Sequence, residues 1–168
     1  MKRHTYDYGV IGNCAFTAHI HIDTSVAWMC WPRFDSSFIF GSLLDRQKGG
    51  EFSIKPLGKR FESKQTYLEN TNILKTEIST PEGTYRVTDF APRFYQSDRY
   101  FKPLMLVRKI ERIEGNPKII VKCKPVGEYG RSVPKRSLGS NHIQFLGLEA
   151  NVRLFVTKNL LTIICLVK

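Results

Sequence analysis

The run Ile73-Leu74-Lys75-Thr76-Glu77-Ile78-Ser79 is followed by Pro81-Glu82-Gly83 and then by Thr84-Tyr85-Arg86-Val87-Thr88-Asp89-Phe90. Both runs alternate apolar or β-branched residues with polar ones, the period of a strand with one face buried. Between them, Pro fixes its own φ and Gly accepts a left-handed backbone, so the chain can reverse tightly. The stretch is predicted to be an antiparallel hairpin.

Outward from this hairpin the same punctuation repeats. Residues 26–31 form an apolar run that stops at Pro32, and Phe52-Ser53-Ile54 lies between Gly49-Gly50 and Pro56. Residues 103–113 lead into the turn Glu114-Gly115-Asn116-Pro117, and residues 118–124 alternate again. Further strands are expected at 142–146 and 152–156, and one short helix at 38–44. Strands about 8–12 residues apart, joined by turns, indicate an all-β fold, a large antiparallel β-sandwich. No segment holds a helical period for long.

The chain has 168 residues, with 42% hydrophobic and 24% charged, a composition of one globular domain. Its formal net charge is +11. The basic residues are spread along the sequence, with local clusters at Lys55, Lys59 and Arg60 and at Arg131, Lys135 and Arg136. No single aromatic-interleaved stripe is present, so a solvated basic surface is expected rather than a nucleic-acid site. Cys14, Cys30, Cys123 and Cys165 form no CxxC pair, and their spacing fits neither a zinc site nor a disulfide framework. The N-terminal residues lack a secretory apolar run. The apolar stretch 160–167 is far shorter than the ~20 residues that span a bilayer. A cytoplasmic protein without membrane insertion, and with reduced thiols, is expected. There is no GxGxxG or P-loop pattern, so no nucleotide cofactor is indicated. His19 and His21 share a strand face, yet no third ligand stands at a readable spacing, and no metal is expected.

Three stretches together carry a resemblance. They are Tyr8-Gly9-Val10-Ile11-Gly12-Asn13-Cys14 leading to Trp28-Met29-Cys30-Trp31-Pro32-Arg33-Phe34-Asp35-Ser36; Tyr67-Leu68-Glu69-Asn70-Thr71-Asn72-Ile73-Leu74-Lys75-Thr76-Glu77; and Thr88-Asp89-Phe90-Ala91-Pro92-Arg93-Phe94 followed by Leu106-Val107-Arg108-Lys109-Ile110. In this order the chain resembles the N-terminal β-sandwich domain of family-15 glycoside hydrolases, the bacterial and archaeal glucoamylase- and trehalase-like proteins. The resemblance implies a supersandwich-like domain that precedes a catalytic (α/α)6 barrel acting on α-glucosidic bonds with inversion. Inversion needs an acid and a base carboxyl about 6.5–9.5 Å apart, and in the family both are glutamates of the barrel. No catalytic residue is therefore expected in this chain.

Two departures accompany the resemblance. The family pattern Asp-Gly-Ser-Ile-Asp-Trp stands here as Asp23-Thr24-Ser25-Val26-Ala27-Trp28. Thr24 in place of the turn glycine is expected to strain the hairpin, and Ala27 removes a carboxylate. Residues 156–168 form a divergent tail of the kind a truncated or frame-shifted gene leaves, and the sandwich is expected to lack its last strands.

Trp31, Pro32, Arg33, Phe34 and Asp35 are the candidate site residues, at the sugar cleft or the barrel contact. Arg33 and Asp35 can pair with each other, or with groups across a domain boundary. Pro92-Arg93-Phe94 echoes the motif. Trp28, Trp31, Phe34 and Phe38 suit either a sugar-stacking platform or the core, and aromatics in strands favour the core. Asp7, Glu69, Asp89 and Glu128 show no pattern that brings two carboxylates together. The function expected is a non-catalytic N-terminal domain that packs on the (α/α)6 domain of the same or an adjacent polypeptide. Without that partner, an exposed docking face would favour self-association. The alternative is a stand-alone sandwich that binds α-glucan or trehalose.

Overall fold

A computed structural model describes residues 6–157 and 162–167. In chain order the strands are β1 (Tyr8–Gly12), β2 (Thr17–His21), β3 (Val26–Cys30), β4 (Phe38–Phe40), β5 (Glu51–Pro56), β6 (Glu62–Tyr67), β7 (Leu74–Thr80) and β8 (Gly83–Phe90). They continue as β9 (Phe94–Gln96), β10 (Arg99–Phe101), β11 (Met105–Gly115), β12 (Ile119–Lys124), β13 (Lys135–Leu138), β14 (His142–Leu146), β15 (Val152–Val156) and β16 (Thr162–Val167). All named pairs are antiparallel. An eight-stranded sheet runs β13-β14-β15-β16-β11-β8-β7-β6. Facing it lie the meander β1-β2-β3-β4 and the ribbon β12-β5, with one apolar core between the layers. The all-β sandwich expected from the sequence is the observed fold.

The β7–β8 hairpin shows why the alternation works. Leu74, Thr76 and Ile78 are buried on one face, and Tyr85, Val87 and Asp89 continue that face on β8. Thr80 pairs with Gly83, leaving Pro81-Glu82 as the turn. Gly83 and Gly115 have φ of +145° and +64°. A side chain on either would strike backbone of the other's segment, Glu114 O or Glu82 O. The turn closes over the end of β11 only because both lack Cβ.

The two layers are bridged by a polar seam inside the core. Arg108 and Asp89 both have 0% exposed side chains. Arg108 Nε donates to Asp89 Oδ1 at 2.7 Å, and Nη2 donates to Asp89 Oδ2 at 3.2 Å. Across the sandwich, Nη2 also donates to Thr24 O at 2.6 Å and Nη1 to Phe52 O at 3.3 Å. The guanidinium carbon lies 4.7 Å from the centre of the Phe52 ring. One side chain thus satisfies a buried carboxylate and two buried carbonyls, which otherwise would carry a desolvation penalty.

Thr24 belongs to the same seam. It takes φ +70°, a backbone that β-branched residues strongly disfavour, so the expected strain is present while the hairpin keeps its turn. Thr24 Oγ1 donates to Ile54 O at 2.7 Å and accepts from Ile54 N at 3.1 Å. Tyr85 supplies the second donor to Ile54 O at 3.0 Å. Thr24→Ala keeps the strained backbone and loses both Ile54 bonds, so it is expected to cost about 2 kcal/mol. Thr24→Gly loses the same bonds but relaxes φ, and should be about 1 kcal/mol more stable than the alanine variant. Urea unfolding of the two variants beside the parent checks that order.

The helix expected at 38–44 is a correction. Phe38, Ile39 and Phe40 are consecutive and all buried, as β4, whereas Leu43 and Leu44 are exposed. An apolar stripe at helical spacing is therefore missing, and a short run covered on both faces packs as a strand. Among the described residues the helical content is a single 3-10 turn at Glu128–Gly130. The divergent tail contributes β16, which lies between β11 and β15 and pairs with both.

Candidate binding cleft

β3 delivers the chain to Trp31, whose bond to Pro32 is cis. Trp31 is 1% exposed and meets the Phe16 ring edge-on, with centroids 4.8 Å apart. On this anchor the chain turns outward. Arg33 Nε and Nη2 donate to Asp35 Oδ1 and Oδ2, both at 2.9 Å. The side chains are about three-quarters exposed, so the pair adds little stability and chiefly orients two charged groups. Ser36 is nearly buried, and its Oγ donates to Glu149 Oε1 at 2.8 Å. That bond ties the corner to the turn after β14.

Opposite stands the 3-10 turn. Gly127 and Ser132 exchange backbone hydrogen bonds at 2.8 and 3.1 Å, closing a loop on which Glu128, Tyr129 and Gly130 take φ of +50°, +57° and +86°. Tyr129 is 62% exposed and rests edge-on against Phe38, with centroids 5.8 Å apart. The space between the walls is an open cleft of about 740 Å³, lined among others by Arg33, Asp35, Glu128, Tyr129, Arg131 and Glu149.

Of the five sequence candidates, Arg33 and Asp35 line this cleft, Trp31 and Pro32 support it, and Phe34 is 55% exposed outside its lining. The other wall was not legible as a site. Glu128 stands out in the sequence only as a lone carboxylate and Arg131 only as part of a basic cluster; the one local signal is a Gly127/Gly130 frame around two bulky residues. The aromatic platform does not assemble. Phe38 is buried beneath Trp28, with centroids 5.4 Å apart, and Trp31 packs inside.

A second cleft of about 450 Å³ includes Asp23, Ala27, Arg46 and Lys55. Burial raises the Asp23 pKa, but Lys55 Nζ at 2.6 Å, Ser25 and His21 outweigh it and hold the carboxyl below the ordinary range. Burial pushes His19 down. Asp89 is sequestered with Arg108 at 0% exposure, whereas Glu128 lines the open cleft. Among the described residues no group of three His, Cys, Asp or Glu could hold a metal, and no helix is long and apolar enough to cross a membrane.

A family model described as trehalase-like, N-terminal, matches residues 3–157. The trehalase of Thermoplasma volcanium is 32% identical over 129 residues, covering 76% of this chain and 20% of the relative. The trehalase of Mycolicibacterium smegmatis is 28% identical over 143 residues, covering 74% and 20%. Trehalase 1 of Sulfolobus acidocaldarius is 39% identical over 84 residues, covering 50% and 14%. The chain thus spans about a fifth or less of the length of these relatives. No solved structure matches it significantly. A match that runs from β1 through β15, on an all-β sandwich, leaves one assignment: the chain belongs to the trehalase-like N-terminal domain family.

Proposed function

We propose that this chain is the non-catalytic N-terminal domain of a trehalase- or glucoamylase-like glycoside hydrolase of family 15, acting on α-glucosidic bonds. It packs on the catalytic (α/α)6 domain of the same or an adjacent polypeptide and shapes the mouth of that domain's cleft. The observation that carries this is the family match over residues 3–157 in relatives of which the region is at most 20%. Four-fifths of each such protein lies elsewhere, with room for the chemistry. The cleft rim supports a docking role. Tyr129 lines the cleft with Arg33 and Arg131, Phe34 and Val133 are exposed in the same two chain segments, and aromatic residues with arginine are what protein interfaces enrich. In isolation such a rim favours self-association. All four cysteines are free, which suits the cytoplasmic setting we assign.

A graft tests the proposal. The whole 168-residue chain, β16 included, replaces the matching region of the Thermoplasma volcanium trehalase, and the hybrid is expected to assemble and hydrolyse trehalose. Replacing Arg33 and Asp35 together by alanine in that hybrid should lower activity about tenfold, the loss of roughly 1.4 kcal/mol at the contact. Full activity in the double variant would contradict the assigned contact, and a hybrid that assembles but never hydrolyses would contradict the proposed role.

A further inference from the structure

We infer that the cleft between the Arg33–Asp35 corner and the Glu128–Gly130 turn is itself a site for a neutral sugar, so that the domain contributes a carbohydrate contact and not packing alone. This deepens, and rests on, the proposal that the chain serves a glycoside hydrolase.

The volume of about 740 Å³ lies within the roughly 300–1,000 Å³ typical of small-molecule sites. Its walls present the guanidiniums of Arg33 and Arg131 and the carboxylates of Asp35, Glu128 and Glu149. Three negative groups against two positive ones disfavour a phosphate or carboxylate ligand. A metal is disfavoured too, because Asp35 is held by Arg33 and Glu149 by Ser36, and no three-ligand group exists among the described residues. An apolar ligand would meet five charged side chains and two serines, against Tyr129 and Leu148. A polyhydroxylated neutral molecule fits this pattern. Its hydroxyls donate to carboxylates and accept from guanidiniums in the same site, and such charge-assisted bonds are stronger than neutral ones. Tyr129, exposed and steadied by Phe38, offers a ring face to the C–H face of a pyranose.

The backbone supplies an independent observation. Glu128 and Tyr129 both sit in the left-handed region, where glycine would be relaxed and these side chains are strained. Stability alone favours glycine at both positions. The strained backbone instead carries a carboxylate and an aromatic ring to the rim of the cleft.

The test is a titration of the 168-residue chain with trehalose, maltose and glucose 6-phosphate, followed by amide chemical shifts. Saturable shifts are expected with the neutral disaccharides, centred on Arg33, Ser36, Glu128, Tyr129, Arg131 and Glu149, and weaker binding of the phosphate ester. Glu128→Gly should raise the melting temperature while weakening sugar binding about tenfold; a merely structural Glu128 would leave binding unchanged. The inference is overturned by absence of saturable shifts with either disaccharide, by shifts centred elsewhere such as the β9–β10 hairpin, by tighter binding of the phosphate ester, or by undiminished binding in Glu128→Gly. Sugar binding can fail while the graft still hydrolyses trehalose, and the graft can fail while the cleft still binds sugar, so the two failures are told apart.

Discussion

Arg108→Met is expected to destabilise the domain by about 3–5 kcal/mol, the usual penalty for stranding one partner of a buried ion pair. Asp89 would be left at 0% exposure with its bidentate partner gone, and Thr24 O and Phe52 O would each lose a donor. Against a total stability of about 5–15 kcal/mol for a natural domain, this is enough to leave the variant poorly folded. Asp89→Leu combined with Arg108→Met removes both charges, and apolar replacement of a whole buried pair is often close to neutral. Here recovery should be partial. The two carbonyls remain without their donor, at about 1–3 kcal/mol each. Urea unfolding of the singles and the double therefore gives a cycle with favourable coupling and incomplete rescue. A single variant within 1 kcal/mol of the parent would mean that the pair is not buried in the folded state.

Ile164→Pro should cost about 3 kcal/mol or more and open one side of the large sheet. Ile164 pairs with Val107 on β11 and with Phe155 on β15, so β16 has a neighbour on each side. Proline removes a backbone donor and is tolerated in sheets almost only at edges and bulges. With β16 displaced, β13-β14-β15 separate from β11-β8-β7-β6. A thiol reports the event. Cys165 is fully buried, and burial pushes its pKa up to about 12, so it should resist alkylation in the parent at neutral pH. In Ile164→Pro it should be labelled readily, while exposed Cys14 is labelled in both proteins. Peptide mapping by mass spectrometry reads the difference, and equal protection of Cys165 in both would show that β16 does not hold the central position.

What the sequence revealed follows from what is local. The β7–β8 hairpin was legible because its alternation and its Pro-Glu-Gly turn are contiguous, and β14 and β15 fall at 142–146 and 152–156 as expected. β6 was not legible, since Glu-Ser-Lys-Gln-Thr-Tyr at a sheet edge has no buried face to pattern. β9 and β10 are three residues each, joined through Ser97 and Asp98, both at positive φ, a tight hairpin without the usual Asn-Gly or Asp-Gly signal. The Arg108–Asp89 pair had a readable clue: each charge falls in the inward phase of its strand, between Leu106 and Ile110 or after Tyr85 and Val87. Its partners Thr24 and Phe52 had none, because they arrive from the opposite layer. The cleft divides the same way. The Arg33–Asp35 fork joins residues two positions apart and could be anticipated, whereas Glu128, Tyr129 and Glu149 meet it from about a hundred residues further along the chain, a distance only the tertiary fold bridges.

The division of labour proposed for this family member has one direct test, glucose release from trehalose, maltose and starch by the purified 168-residue chain. A domain that docks on a hydrolase and performs no hydrolysis gives no glucose above the buffer blank with any of the three. Turnover that copurifies with the chain and falls when Glu128 or Glu149 is changed to glutamine would contradict it.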